Sequence, residues 1–137
     1  MTIERQAVRV TTKRGEARGI QVTEESFEPS GLVIAVVGEL DIATAPALRD
    51  RFDTASEAGR HRLVIDLSGV SFLDSVALAT IVHAKQRLPE EGRMAVVVDP
   101  SSYVMLVFES GGLGKVLDLV ETRAEALHRV TASRPRA

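Results

Sequence analysis

The chain contains no cysteine and no tryptophan, and its aromatic residues are one tyrosine and four phenylalanines. Without cysteine there is no disulfide, no thiolate metal site, no thiol nucleophile and no redox sensor. So few aromatics leave no stacking platforms for single-stranded nucleic acid. Long hydrophobic runs are missing too. None approaches the roughly 18 to 20 residues of a membrane span, and the N-terminus lacks the basic-then-apolar layout of a signal peptide. A cytoplasmic protein is the expectation. At 137 residues the chain buries enough surface for one core but not for two separately stable ones.

What is present is charge, unevenly placed. Residues 1–18 carry five basic and two acidic side chains, and Arg134 and Arg136 make the last seven residues basic. Between them, residues 19–130 hold 10 basic and 17 acidic side chains. The expected organisation is a flexible basic N-terminal arm (1–18), one domain (19–130) and a flexible C-terminal tail (131–137). An acidic body offers no phosphate-tracking groove, so nucleic acid is not an expected partner.

Strand and helix signals alternate along that body. Ile20 to Glu28 is extended in character, and Glu28-Pro29-Ser30-Gly31 fits a type I turn. Leu32 to Val37 is an uninterrupted, largely β-branched run, the pattern of a strand buried on both faces. After Gly38-Glu39-Leu40-Asp41, Thr44 is a good N-cap and Pro46 falls in the first helical turn. Leu48, Phe52 and Ala55 then recur at helical spacing until Gly59. Arg62 to Leu67 is a second buried-type strand, with a Ser-Gly loop before Val70-Ser71-Phe72-Leu73. A long helix follows Asp74-Ser75, its inner face holding Ala77, Leu78, Ile81, Val82, Ala84 and Leu88. Met94–Val98 and Val116–Val120 read as strands, and Ser101–Glu109 and Thr122–Val130 as helices. This alternation predicts an α/β domain with parallel pairings.

The chemistry of an enzyme is hard to find in these elements. Ser110-Gly111-Gly112-Leu113-Gly114-Lys115 resembles a phosphate loop, but Glu109 stands where the first glycine belongs and Val116 where a Ser or Thr would bind metal. His61, His83 and His128 lie in different elements at spacings that match no metal site. There is no nucleophile elbow. Asp41, Asp66, Asp74 and Asp99 fall near strand ends, where α/β folds gather ligands, but where aspartate also serves turns and caps. No catalytic residue, metal or cofactor is expected.

The segment Asp66-Leu67-Ser68-Gly69-Val70-Ser71-Phe72-Leu73-Asp74-Ser75-Val76-Ala77-Leu78 carries a resemblance. A strand ending in Asp-Leu-Ser, an aromatic, an aliphatic and then Asp-Ser opening a helix resembles the signature of the bacterial anti-sigma factor antagonists, the STAS domain family. Gly38-Glu39-Leu40-Asp41 with Thr44-Ala45 is similar to the family's second motif. The likeness runs from about Ile20 to Val130. It implies a mixed sheet of four to five strands, with about four helices packed mainly on one face. It also implies a non-catalytic regulator of transcription whose serine, here Ser75, is phosphorylated by its partner. That partner is an anti-sigma factor with a serine-kinase fold, which releases its sigma factor on binding the unphosphorylated antagonist; a serine phosphatase resets the switch. The alternative is a non-switching STAS module of a transporter ATPase complex or a stress-sensing scaffold. A monomer or weak dimer is expected. After Asp-Ser the family most often continues with Ser or Thr and then Gly, whereas this chain has Val76 and Ala77.

The residues make their own case for Ser75. A helix N-terminus leaves amides unpaired, so either Asp74 or Ser75 is expected as the cap. The face just beyond carries Val76 and Ala79 beside Thr80 and His83, where polar residues should prevail on a solvated helix. An apolar patch beside a small hydroxyl points to a docking surface, with Asp41, Thr44, Asp74, Val76, Ala79, Thr80 and His83 as the expected partner contacts. Ser71 is the rival phosphosite, expected in the loop before the helix.

Overall fold

The structure, a computed structural model, describes residues 3–6 and 19–132. Its elements run β1 (Ile3–Gln6), β2 (Ile20–Phe27), β3 (Gly31–Leu40), α1 (Ala45–Glu57), β4 (Arg62–Leu73), α2 (Ser75–Gln86), β5 (Arg93–Val97), α3 (Tyr103–Ser110), a 3-10 turn (Leu113–Lys115), β6 (Asp118–Val120) and α4 (Arg123–Thr131). The strands form one sheet in the order β1-β2-β3-β4-β5-β6. The first two pairings are antiparallel and the last three parallel, so the sheet is mixed as expected.

Strands β2 to β6 make the expected five-stranded sheet, and β1 adds a sixth at its edge. The extra strand is β1, whose backbone pairs with Glu24–Phe27 inside the stretch expected to be an arm. Residues 1–2, 7–18 and 133–137, the rest of the expected arm and most of the expected tail, lie outside the described residues.

Three helices cover one face. Leu48 and Phe52 of α1, Ala77 and Ile81 of α2, and Val104 and Phe108 of α3 pack on Ile34, Ile65 and Val96 of the central strands. On the other face α4 is the one helix among the described residues, seating Ala126 and Val130 against Val64, Ala95, Val97 and Val120. Covering on both sides explains why the central strands read as continuous apolar runs.

Two local readings are corrected. The turn after β2 is not type I, because Ser30 has a φ of 55°. The expected Ser68-Gly69 loop is a bulge inside one continuous strand: Asp66 pairs with Ala35 and Gly69 with Val37, so β4 carries an extra residue there. A second extra residue falls between Val70 and Phe72. Gly69 fits because a Cβ there would lie 2.8 Å from Val37 Cγ2. Next along β3, Gly38, which pairs with Val70, has a φ of +124°, and a Cβ there would meet the Gly19 carbonyl oxygen at 2.4 Å. The bulges carry β4 on to Leu73, which is buried, so that Asp74 turns the chain into α2 beside the end of β3.

Candidate functional site

The carboxyl ends of β3 and β4 lie side by side, Leu40 paired with Leu73. The loops that follow are tied together by Asp74. Its Oδ1 accepts from the amides of Val76 and Ala77, both at 3.0 Å, which is an N-cap on α2. Its Oδ2 accepts from the Ile42 amide at 3.0 Å, in the loop after β3. Its own amide donates to the Leu40 carbonyl at 3.0 Å.

With Asp74 as cap, Ser75 is released from that duty. It is the first residue of α2, exposed, and its hydroxyl makes no hydrogen bond among the described residues. The sequence left the cap open between the two residues. Geometry decides it, because Asp74 is in the extended conformation an N-cap requires. Ser71 is different: it lies in β4 rather than in a loop, and its hydroxyl donates to the Gly38 carbonyl at 3.4 Å.

The second motif builds the neighbouring loop. Asp41 Oδ1 accepts from the amides of Ala43 and Thr44, at 2.9 and 3.0 Å. Thr44 Oγ1 accepts from the Asp41 amide and donates to the Glu39 carbonyl at 2.8 Å. Thr44 is 1% exposed, so this expected partner contact is a loop anchor beneath the surface. It is also the first-turn boundary of α1, but its side chain makes no cap bond there. Asp41 is half-buried.

The other expected contacts do share a surface. Val76, Ala79 and His83 are exposed along α2, and half-buried Thr80 turns its hydroxyl back to the Val76 carbonyl at 3.0 Å. The sequence reading missed Ile42, which is 71% exposed in the loop pinned by Asp74. It also missed Phe72 and Tyr103, whose rings stack with centroids 6.0 Å apart at the start of α3, and exposed Leu106 one turn on. An isolated isoleucine between Asp41 and Ala43 was the available signal for the first. Nothing local signals the stack, whose partners are far apart in sequence.

Among the described residues this end of the molecule is poor in cations. Residues 19–48, 63–84 and 94–114 contain no Lys or Arg. Arg123 opens α4 at the same ends of the strands, but its Nε and Nη2 donate to Asp66 Oδ2 at 3.1 and 2.8 Å, and its Nη1 lies 3.4 Å from Glu25. Asp66 is not at a strand end, as the sequence placed it, but buried within β4. Burial pushes its pKa up; the Ser68 hydroxyl and amide bonds and the Arg123 guanidinium outweigh burial and hold it below the usual carboxylate range. Among the described residues no cluster of three His, Cys, Asp or Glu side chains is placed to hold a metal ion. None of their helices is long and apolar enough to cross a membrane.

A mixed sheet that raises a capped helix between two strand ends, with a bare serine hydroxyl on its first turn, defines a small regulatory α/β domain. The chain belongs to the STAS domain family, whose model matches residues 20–126. Among curated proteins it is similar to the anti-sigma-F factor antagonist RsfB of Mycobacterium tuberculosis, at 31% identity over 102 residues, covering 74% of this chain and 83% of that one. Among solved structures it resembles an anti-sigma factor antagonist from Mycobacterium paratuberculosis, with a TM-score of 0.77 and 32% identity over 83% of this chain and 96% of that one. It also resembles the Bacillus cell fate determinant SpoIIAA in its phosphorylated form, with a TM-score of 0.61 and 27% identity over 80% of this chain and 98% of that one.

Proposed function

We propose that this chain is an anti-sigma factor antagonist, a non-catalytic binding protein whose unphosphorylated form engages an anti-sigma factor and frees its sigma factor. Ser75 is the phosphoacceptor. The observation that carries this reading is the division of labour at the start of α2: Asp74 caps the helix with both carboxylate oxygens engaged, so the exposed Ser75 hydroxyl has no structural duty.

The partner is an anti-sigma factor with a serine-kinase fold. The Ser75 oxygen attacks the γ-phosphorus of the ATP that this partner holds, the bond from that phosphorus to the bridging oxygen breaks so that ADP departs, and the hydroxyl proton passes to solvent. The contact face is Val76, Ala79, Thr80 and His83 of α2 with Asp41, Asp74 and Ile42 of the neighbouring loop. Phosphorylation adds about −1.5 to −2 charges at pH 7. The dipole of α2 tolerates that charge while the site is in water. Buried in an interface, with no Lys or Arg in the described segments that adjoin it and Arg123 already engaged, it becomes a desolvated charge without a partner, at a cost of several kcal/mol. Since about 1.4 kcal/mol is tenfold in affinity, binding is switched off without refolding the domain. A serine phosphatase restores it. Val76 presents a methyl-bearing contact where the family most often has a hydroxyl, so the cognate kinase site is apolar at that point.

Recovery of partners from the native cytoplasm on unmodified, Ser75→Ala and Ser75→Asp protein, with phosphate mapped by mass spectrometry after incubation with ATP, tests both halves. Expected are an anti-sigma factor on the first two baits, its loss on Ser75→Asp, and label on Ser75 alone. Label on Ser71, or binding indifferent to Ser75→Asp, overturns the switch; indifferent binding of an ATPase or scaffold protein identifies a non-switching module instead.

A further inference from the structure

Between α1 and α2 lies a cleft of about 400 Å³ lined by Arg49, Phe52, Thr80, His83, Gln86 and Arg87. It adjoins a smaller chamber of about 90 Å³ reached past Phe52, Ala84 and Arg87, which line both spaces. The chamber extends to His61 and Leu63 at the start of β4 and to Leu88 beyond α2.

Three features of this cleft point to one kind of ligand. Its rim is cationic in a body where residues 19–130 hold 17 acidic against 10 basic side chains. Arg87 keeps one bond, to Asp53 at 2.8 Å, with further donors of its guanidinium available, and exposed Arg49 forms no ion pair among the described residues. Phe52 leads from the cleft into the chamber, whose apolar walls are Phe52, Leu63 and Leu88. At its inner end His61 has a buried Nδ1 with no hydrogen-bond partner. A buried polar atom left unpaired is costly and calls for a partner. Convergent polar groups around an apolar concavity are the usual makings of a small-molecule site.

We propose that this cleft binds a small organic anion, a phosphate or carboxylate on a short apolar body. The anionic head meets the guanidiniums of Arg49 and Arg87, as charge-assisted hydrogen bonding to such groups favours. The apolar body lies against Phe52, Leu63 and Leu88. The residues that hold the head and body lie outside the proposed partner face, which shares only Thr80 and His83 with the cleft lining.

Amide shift mapping on the isotope-labelled full chain tests this with four probes: hexyl phosphate, hexanoate, inorganic phosphate and 1-hexanol. Hexyl phosphate or hexanoate is expected to give saturable shifts at low millimolar concentration, confined to Arg49, Phe52, His61, Arg87 and their neighbours. Which of the two binds more tightly identifies the head group. Inorganic phosphate and 1-hexanol, each carrying half of the recognition, are expected to bind roughly tenfold more weakly or not at all. Arg49→Gln lies on an exposed helix face, leaves the rest of the spectrum unchanged, and is expected to weaken the organic anion about fivefold or more. His61→Phe fills the inner chamber and is expected to remove the advantage of the hexyl chain over inorganic phosphate. No saturable shift with either organic anion, shifts that map away from the cleft, or affinity untouched by Arg49→Gln overturns the proposal.

Discussion

At the scale of single residues, Asp74 and Ser75 are neighbours with opposite roles. Asp74 holds three backbone amides, two in α2 and one in the loop after β3. Asp74→Ala is therefore expected to lower stability by about 1 to 2 kcal/mol in urea unfolding, the range for losing an N-cap. Ser75→Ala is expected to stay within about 0.5 kcal/mol of the parent, as for a surface change that removes no bond. Equal losses from the two substitutions would mean that Ser75 shares the cap. Sequence identified this pair but not its division. Ser, Thr and Asp are interchangeable as cap candidates by composition, and only the extended backbone at 74, set by the end of β4 beside β3, selects one. Thr44 shows the converse: a hydroxyl in a motif read as surface is used beneath it, because Glu39 and Asp41 in the same loop supply its partners.

At the scale of elements, β2 and α1 are joined by an ion pair that no local pattern announces. Arg51 donates Nε and Nη2 to the two carboxylate oxygens of Glu24 at 2.7 and 2.9 Å, and the side chains are only 20% and 8% exposed. The pairing raises the Arg51 pKa further, so the guanidinium stays charged. Glu24→Ala strands that charge under α1 and is expected to cost about 3 kcal/mol. Replacing both residues with Met is expected to recover most of the loss, which a double-mutant cycle on unfolding free energies measures. Recovery of less than half would show that the pair contributes more than mutual neutralisation. Glu24 occupies an inward position of a strand, between Val22 and the buried end at Phe27, where an alternating pattern expects an apolar residue. Elements themselves were legible. Every run read as a strand or helix between Ile20 and Val130 is present, because β-branched runs and 3.6-residue spacing are local properties. The Ser68-Gly69 bulge was not, since a bulge is a relation between two strands.

For the whole molecule, α4 is fastened to the sheet by Arg123, which spans from Asp66 on β4 to Glu25 on β2 across the intervening strand. The folded pKa of Asp66 lies below its unfolded value, so the bond contributes fully above that unfolded value, about 3.9, and is lost as pH falls through the folded pKa. Asp99, held low by the Ser101 amide and hydroxyl, acts in the same direction at the surface. Stability is expected to hold from neutral pH down to about pH 4 and to fall below it. Asp66→Asn is expected to be less stable at pH 7 with a shallower decline in acid, measured by urea unfolding across pH. An unchanged acid decline in that variant would remove Asp66 as its source. By itself the sequence determined the alternation of strands and helices, the acidic body, the absence of thiol chemistry, and the motif that places a serine at a helix start. The tertiary structure decided what these residues do. It set Asp74 as the cap, sank Thr44, gathered Ile42 and the Phe72–Tyr103 stack at one end, and opened the Arg49–Arg87 cleft between α1 and α2. The physical reason is that propensity and periodicity act over a few residues. Burial, ion pairing and the freedom of a hydroxyl depend on which distant segments the sheet order brings together.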